Sequence, residues 1–128
     1  MNNIDIFVKK EVYEMETKLM KIWEKIKSDS INVESNMPSL YRKQTGSYYT
    51  GLELAYLMMK ELVAEFDDKY CLLDKKFLEP CVGTGNFVFA YLRVCSELNF
   101  SKEEYKKIIN NIFVCDINNV ALDVYKKN

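Results

Sequence analysis

Apolar residues at Val8, Val12, Met15, Leu19, Ile22 and Ile26 recur at alternating steps of four and three, with lysines and glutamates filling the intervals. That spacing predicts one long amphipathic helix over residues 4–26. Trp23 widens its apolar face, and Glu14 with Lys18 makes an i,i+4 pair of the favourable orientation. A step averaging about 3.5 also suits a coiled coil or a partner helix, but so short a run favours packing on the chain's own core. The following stretch, KSDSINVESNMPSLYRKQTGS over residues 27–47, follows neither the helical nor the strand period and is rich in Ser and Asn around Pro38. It predicts a long connection that either closes over a site or is a plain linker.

Thr50 and Glu53 have capping-box spacing, and Leu52, Ala55, Tyr56, Met59, Leu62, Val63 and Phe66 then keep a helical period, predicting a second helix over residues 51–66. Phe77 and Leu78 read as the core of a short buried strand stopping at Pro80. A third helix starts near Asn86 and carries Phe87, Ala90, Tyr91, Val94 and Leu98. Ser101 and Glu104 make another capping box ahead of Tyr105, Ile108 and Ile109. The unbroken apolar run Ile112, Phe113, Val114, Cys115 predicts a strand covered on both faces, and Val120, Ala121 and Val124 open a last helix. Strand, helices, strand, helix is the opening of a parallel, doubly wound α/β sheet.

Composition narrows the functional classes. The 128 residues carry a net charge of −1, so the chain lacks the basic excess expected of a free-standing nucleic-acid-binding domain. No export signal and no apolar run of membrane-spanning length is present, which predicts a soluble, cytoplasmic protein with no membrane partner. The four cysteines show no C-x-x-C spacing and there is no histidine, so neither a zinc site nor Ser-His-Asp or Cys-His chemistry is expected. Cys81, Cys95 and Cys115 stand in apolar surroundings and are expected to be small buried thiols of a reducing compartment.

The stretch FLEPCVGTGNFVFAYL, residues 77–92, carries the chemistry. A strand feeding a helix through Gly83-Thr84-Gly85 presents bare backbone N–H groups and the positive helix end at the carboxyl edge of a sheet, where open α/β folds bind ligands. Glu79 and Asn86 add an acceptor and a donor beside it. Asp116, directly after the second strand, stands where an acid binds the two hydroxyls of a ribose, so loop and acid together indicate a nucleoside-containing cofactor. Val88 replaces the third glycine of a dinucleotide fingerprint, and no Gly-Lys-Ser/Thr follows, which argues against NAD and ATP. S-adenosylmethionine fits, its zwitterionic amino acid suiting mixed backbone and carboxylate partners. The bland alternative is a tight strand-to-helix turn, with Asp116 capping a helix.

LEPCVGTGNFVFAYL resembles the cofactor motif of the adenine-N6 DNA methyltransferases, [DE]-P-[AC]-x-G-[ST]-G-x-F. RKQTGSYYTGLELAYLMMKEL, residues 42–62, resembles the G-x-[YF]-[YF]-T-P segment and helix that precede it in their γ arrangement, with Gly51 in the usual place of proline. IFVCDINNVALDVYKKN is similar to their second-strand motif, and the three matches come in the family's order across residues 42–128. The resemblance implies a Rossmann-like S-adenosylmethionine-binding domain over 48–128, preceded by a helical segment, 1–47. It implies that Tyr49 and Thr50 meet the methionine end of the cofactor, Glu79, Gly83 and Gly85 form the loop beneath it, and Pro80, Cys81, Asn86 and Phe87 complete the motif. Asp116 is implied at the ribose and Ile117 on the adenine face. The family's Asn-Pro-Pro-Tyr/Phe motif, which receives the flipped adenine, is absent, as is a basic target-recognition region. The expectation is therefore the cofactor-binding, amino-terminal fragment of a restriction-modification DNA methyltransferase, truncated and inactive alone. It would reach DNA through the missing part and meet restriction or specificity subunits. The competing expectations are a non-catalytic helical interaction module and a fragment of an RNA or protein methyltransferase; the Tyr-Tyr-Thr segment counts against the latter.

Overall fold

The first helix, α1, spans Asn3–Asn36, far beyond the predicted end at residue 26. The computed structural model describes the backbone over residues 3–128 and side chains from residue 17 onward. The apolar positions Val8, Val12 and Met15 and the acid of the Glu14–Lys18 pair lie outside the described side chains. Trp23 and Ile26 anchor α1 in the core, whereas Ile22 is exposed, so the packed face is centred one position further round than the heptad spacing implies. The segment predicted as a connection stays helical because its polar side chains do not break the ladder. Ser35 Oγ and Asn36 Nδ2 donate back to the carbonyls of Ile31 and Asn32, and buried Ser30 accepts from Asn86 Nδ2 at 2.9 Å. Pro38 then starts a short helix, α2 (Ser39–Thr45), which Gly46 closes in the left-handed conformation.

Helix α3 (Leu52–Ala64) agrees with the apolar period and buries Leu52, Ala55, Met59 and Val63. Its start differs from the predicted capping box: Gly51 occupies the cap without a side-chain bond. Glu53 instead turns to α1, accepting from Trp23 Nε1 and Lys27 Nζ, both at 3.3 Å. A 3-10 turn over Lys69–Leu73, capped by Asp68, buries Leu72 ahead of strand β1 (Phe77–Glu79). Helix α4 (Asn86–Ser96) packs along α3, and the guanidinium of its Arg93 lies over the rings of Trp23 and Tyr56 at 4.4 and 4.6 Å. Helix α5 (Lys102–Asn110) begins with both bonds of the Ser101–Glu104 capping box, as its spacing predicts.

Strand β2 (Ile112–Val114) pairs parallel with β1 in the register Phe77↔Ile112, Leu78↔Phe113, Glu79↔Val114, and helix α6 (Asn119–Lys127) follows under an Asn118 cap. The fold is thus a mostly helical α/β arrangement around a two-stranded parallel sheet. That sheet is covered on one face only, which corrects the expectation of a fully buried strand. Phe77 and Ile112 pack on the helical core, Phe77 stacking on Tyr91 at 4.6 Å, while their neighbours Leu78 and Phe113 are 67% and 47% exposed. The alternation of side chains sends every second residue away from the helices. Among the described residues no helix is long and apolar enough to cross a membrane.

Three ionisable groups meet where α4 packs on α5. Burial pushes the Cys95 thiol up to about 11, from an ordinary value of 9.0, and the Tyr105 phenol to about 12; Tyr91 is raised as well, also by burial. Groups whose pKa is higher in the folded chain stabilise it fully below their unfolded values, and that contribution disappears as pH climbs through the folded ones. The melting temperature is therefore expected to hold from neutral pH to about 9 and to fall steeply between about 9 and 12. A thermal-melt series read by circular dichroism checks this; a flat profile to pH 12 would contradict the burial of these groups.

Candidate site at the carboxyl edge of the sheet

Beyond the paired strands, the backbone of β1 and β2 stays joined. Cys115 N–H donates to the Glu79 carbonyl and Val82 N–H to the Cys115 carbonyl, each at 3.0 Å. Two residues, Pro80 and Cys81, thus stand opposite the single residue Cys115, a bulge that suits a proline with no N–H to contribute. The step turns the chain into the glycine loop, where Gly83 and Gly85 have φ of +54° and +99°. A hydrogen bond from Gly85 N–H to the Val82 carbonyl, 2.8 Å, closes the turn onto α4.

Asp116 ties the two strand ends together. Its Oδ2 accepts from Gly83 N–H and its Oδ1 from Asn118 N–H, both at 2.7 Å. A carboxylate offers about four lone-pair positions, so both oxygens retain an acceptor site. Over the loop lies Tyr49: a Cβ placed on Gly83 would stand 3.0 Å from its ring, so any side chain there must push the ring aside. The Tyr49 hydroxyl is shielded from water and has no hydrogen-bond partner. Burial raises its pKa to about 12, with the charges of Asp116 and Glu34 adding to the effect, so at neutral pH it is a donor with nothing to donate to. An orphaned donor of this kind costs about 1–3 kcal/mol, which an arriving acceptor would recover. Arg42 Nε is orphaned in the same way, although its Nη1 lies 3.8 Å from Glu34.

The other residues singled out in the sequence divide into clamps and bystanders. Asn86 is buried, and its Nδ2 donates to Ser30 Oγ and to the Thr50 carbonyl (2.8 Å), fastening the loop to α1 and to the Tyr49–Thr50 segment. Glu79 Oε1 accepts from Cys81 N–H at 3.0 Å. Phe87 turns into the core, Pro80 is exposed, and Ile117 is 78% exposed. Cys81 and Cys115 are exposed and only Cys95 is buried, which corrects the expectation for the first two: the bulge lifts them out of the apolar runs flanking them in sequence.

Beside the acid, the end of α1, Pro38 and Tyr41 of α2, and the start of α6 enclose an open cleft of about 570 Å3, bordered by Met37, Asn118 and Val120. Apart from Asn118 and Val120, its walls come from the segment predicted as a connection, and so sequence reasoning missed Met37 and Tyr41. The one available signal was Pro38, whose ring forces the change of direction between α1 and α2. Among the described residues no cluster of three or more Cys, Asp or Glu side chains is placed to hold a metal ion. Compared with protein-family models, with curated proteins and with solved structures, the chain finds no match.

Proposed function

We propose that this chain binds S-adenosylmethionine at the carboxyl edge of a Rossmann-like half-sheet, as part of a DNA adenine-N6 methyltransferase. The observation that carries the reading is the convergence of three groups on one spot: the Gly83–Gly85 loop, the Asp116 carboxylate bonded to Gly83 N–H, and the unpartnered Tyr49 hydroxyl over the same glycine. The donor set suits the cofactor. Asp116 has acceptor positions for ribose hydroxyls and Tyr49 O–H seeks an acceptor such as a carboxylate; the cleft of about 570 Å3, within the small-molecule range of about 300–1,000 Å3, is lined by neither but adjoins Asp116 through Asn118. When bound, the cofactor supplies an electrophilic methyl group. The residues of this chain would hold and orient it: Asp116 would take the ribose, Asn86 keeps the buried glycine loop against α1, and the Tyr49 ring covering Gly83 would turn its hydroxyl to the ligand. No Asn-Pro-Pro-Tyr sequence occurs in these 128 residues, so the proposal assigns adenine binding, DNA contacts and any restriction or specificity subunits to parts of the enzyme outside them.

A second reading, an architectural glycine turn, is favoured by the bonds that Gly83 N–H, Glu79 and Asn86 already make within the chain. Calorimetric titration separates the two. Saturable one-to-one binding of S-adenosylmethionine is expected, with ATP and NAD at least about tenfold weaker. Absence of saturable binding, or equal binding of all three, would leave the turn architectural.

A further inference from the structure

We propose that Cys81 and Cys115 are a redox-responsive thiol pair that closes into an intramolecular disulfide across the mouth of the glycine loop. Both thiols are free and exposed. The two hydrogen bonds of the bulge, Cys115 N–H to Glu79 and Val82 N–H to Cys115, bracket the Pro80–Cys81 dipeptide and fix Cys115 opposite it. Cys115 Sγ lies 3.2 Å from the Pro80 carbonyl oxygen, on the peptide that leads into Cys81. Standard peptide dimensions then put the Cys81 Cα within about 6 Å of that sulfur. Neighbouring parallel strands lie about 4.8 Å apart, so Cα atoms facing each other across the bulge fall in the range of about 4.4–6.8 Å that a disulfide requires. Cys71 is also exposed but belongs to the 3-10 turn ahead of β1, and Cys95 is buried in the core, so neither competes for the pairing.

The chemistry balances with a low-molecular-weight disulfide as oxidant. One thiolate attacks a sulfur of oxidised glutathione, forming a mixed disulfide and releasing one glutathione thiolate. The second protein thiolate attacks the protein sulfur of that mixed disulfide, forming the Cys81–Cys115 bond and releasing the second glutathione. Two protein thiols lose two protons and two electrons, and one oxidised glutathione becomes two reduced molecules. The bond would tie the bulge to the residue before Asp116 and so fix the spacing between loop and acid. Its formation does not depend on which ligand the loop takes.

The test is to incubate the folded chain with oxidised glutathione, block remaining thiols, digest with trypsin without reduction and identify linked peptides by mass spectrometry. The expected product joins residues 77–93 to residues 108–126, exceeds every other pairing by about tenfold or more and reverts with dithiothreitol. The same oxidation in concentrated urea is expected to scatter the linkages, because selectivity comes from the fold. Cys71→Ser is expected to leave the product unchanged, and Cys115→Ser to leave Cys81 as a glutathione adduct. Persistent glutathione adducts on both cysteines of the unsubstituted chain, or linkages no more selective than in urea, overturn the proposal.

Discussion

Gly85→Ala is expected to destabilise the chain by about 3 kcal/mol or more, because strain and overpacking, each worth about 1–3 kcal/mol, act at the same atom. At φ +99° the backbone lies outside the conformations an L-residue adopts readily. The new Cβ would also stand 2.6 Å from the rings of both Phe89 and Tyr125, closer than a Cβ approaches another heavy atom, so both packed rings must shift. Gly83→Ala makes the informative contrast. Its φ of +54° is the ordinary left-handed region, costing about 1–2 kcal/mol, and its new Cβ meets only the Tyr49 ring, a side chain able to swing away. Urea unfolding should therefore order the midpoints as unsubstituted, Gly83→Ala, Gly85→Ala. A Gly85→Ala loss below about 1 kcal/mol would mean that the loop is looser than its tight turn implies.

That contrast bears on what the sequence could disclose. The loop, both strands and their parallel order were legible because they depend on local signals: glycines at the turn, short apolar runs and caps such as Ser101 with Glu104. Residues 27–36 were not legible, because their Ser and Asn content argues against a helix and tertiary contacts override it. Ser30 is drawn inward by Asn86, more than fifty residues away, and no periodicity can express such a bond. Thr50 and Glu53 failed for the same reason, since Glu53 is taken by Trp23 and Lys27 before it can cap. At the site, the spacing of glycine loop and acid anticipated that Gly83 and Asp116 would be close, but not that they would bond directly. The cleft depends on the bend at Pro38, a feature of packing between distant segments.

Asp116 is where the two readings of this chain part most sharply. Asp116→Ala removes the acceptor of both Gly83 N–H, in a buried glycine, and Asn118 N–H. Hydrogen bonds to a charged group contribute about 1.5–3 kcal/mol each, so a stability loss of about 3 kcal/mol is expected whatever the loop binds. Stability alone therefore decides nothing about function. Asp116→Asn is the discriminating change: it keeps the shape and one acceptor oxygen but loses the charge and the second oxygen. With the fold retained, as judged by circular dichroism, S-adenosylmethionine affinity is expected to fall by about 10- to 100-fold, the equivalent of about 1.4–2.8 kcal/mol. Tyr49→Phe supplies the complementary arm. It deletes a hydroxyl that bonds nothing in the free chain, so stability should hold or rise while affinity falls, an outcome an architectural tyrosine would not produce. If both variants bound the cofactor as tightly as the unsubstituted chain, the carboxylate and the phenol would serve only the turn. The methyltransferase reading would then keep its glycine loop and lose the two groups that give the loop a ligand.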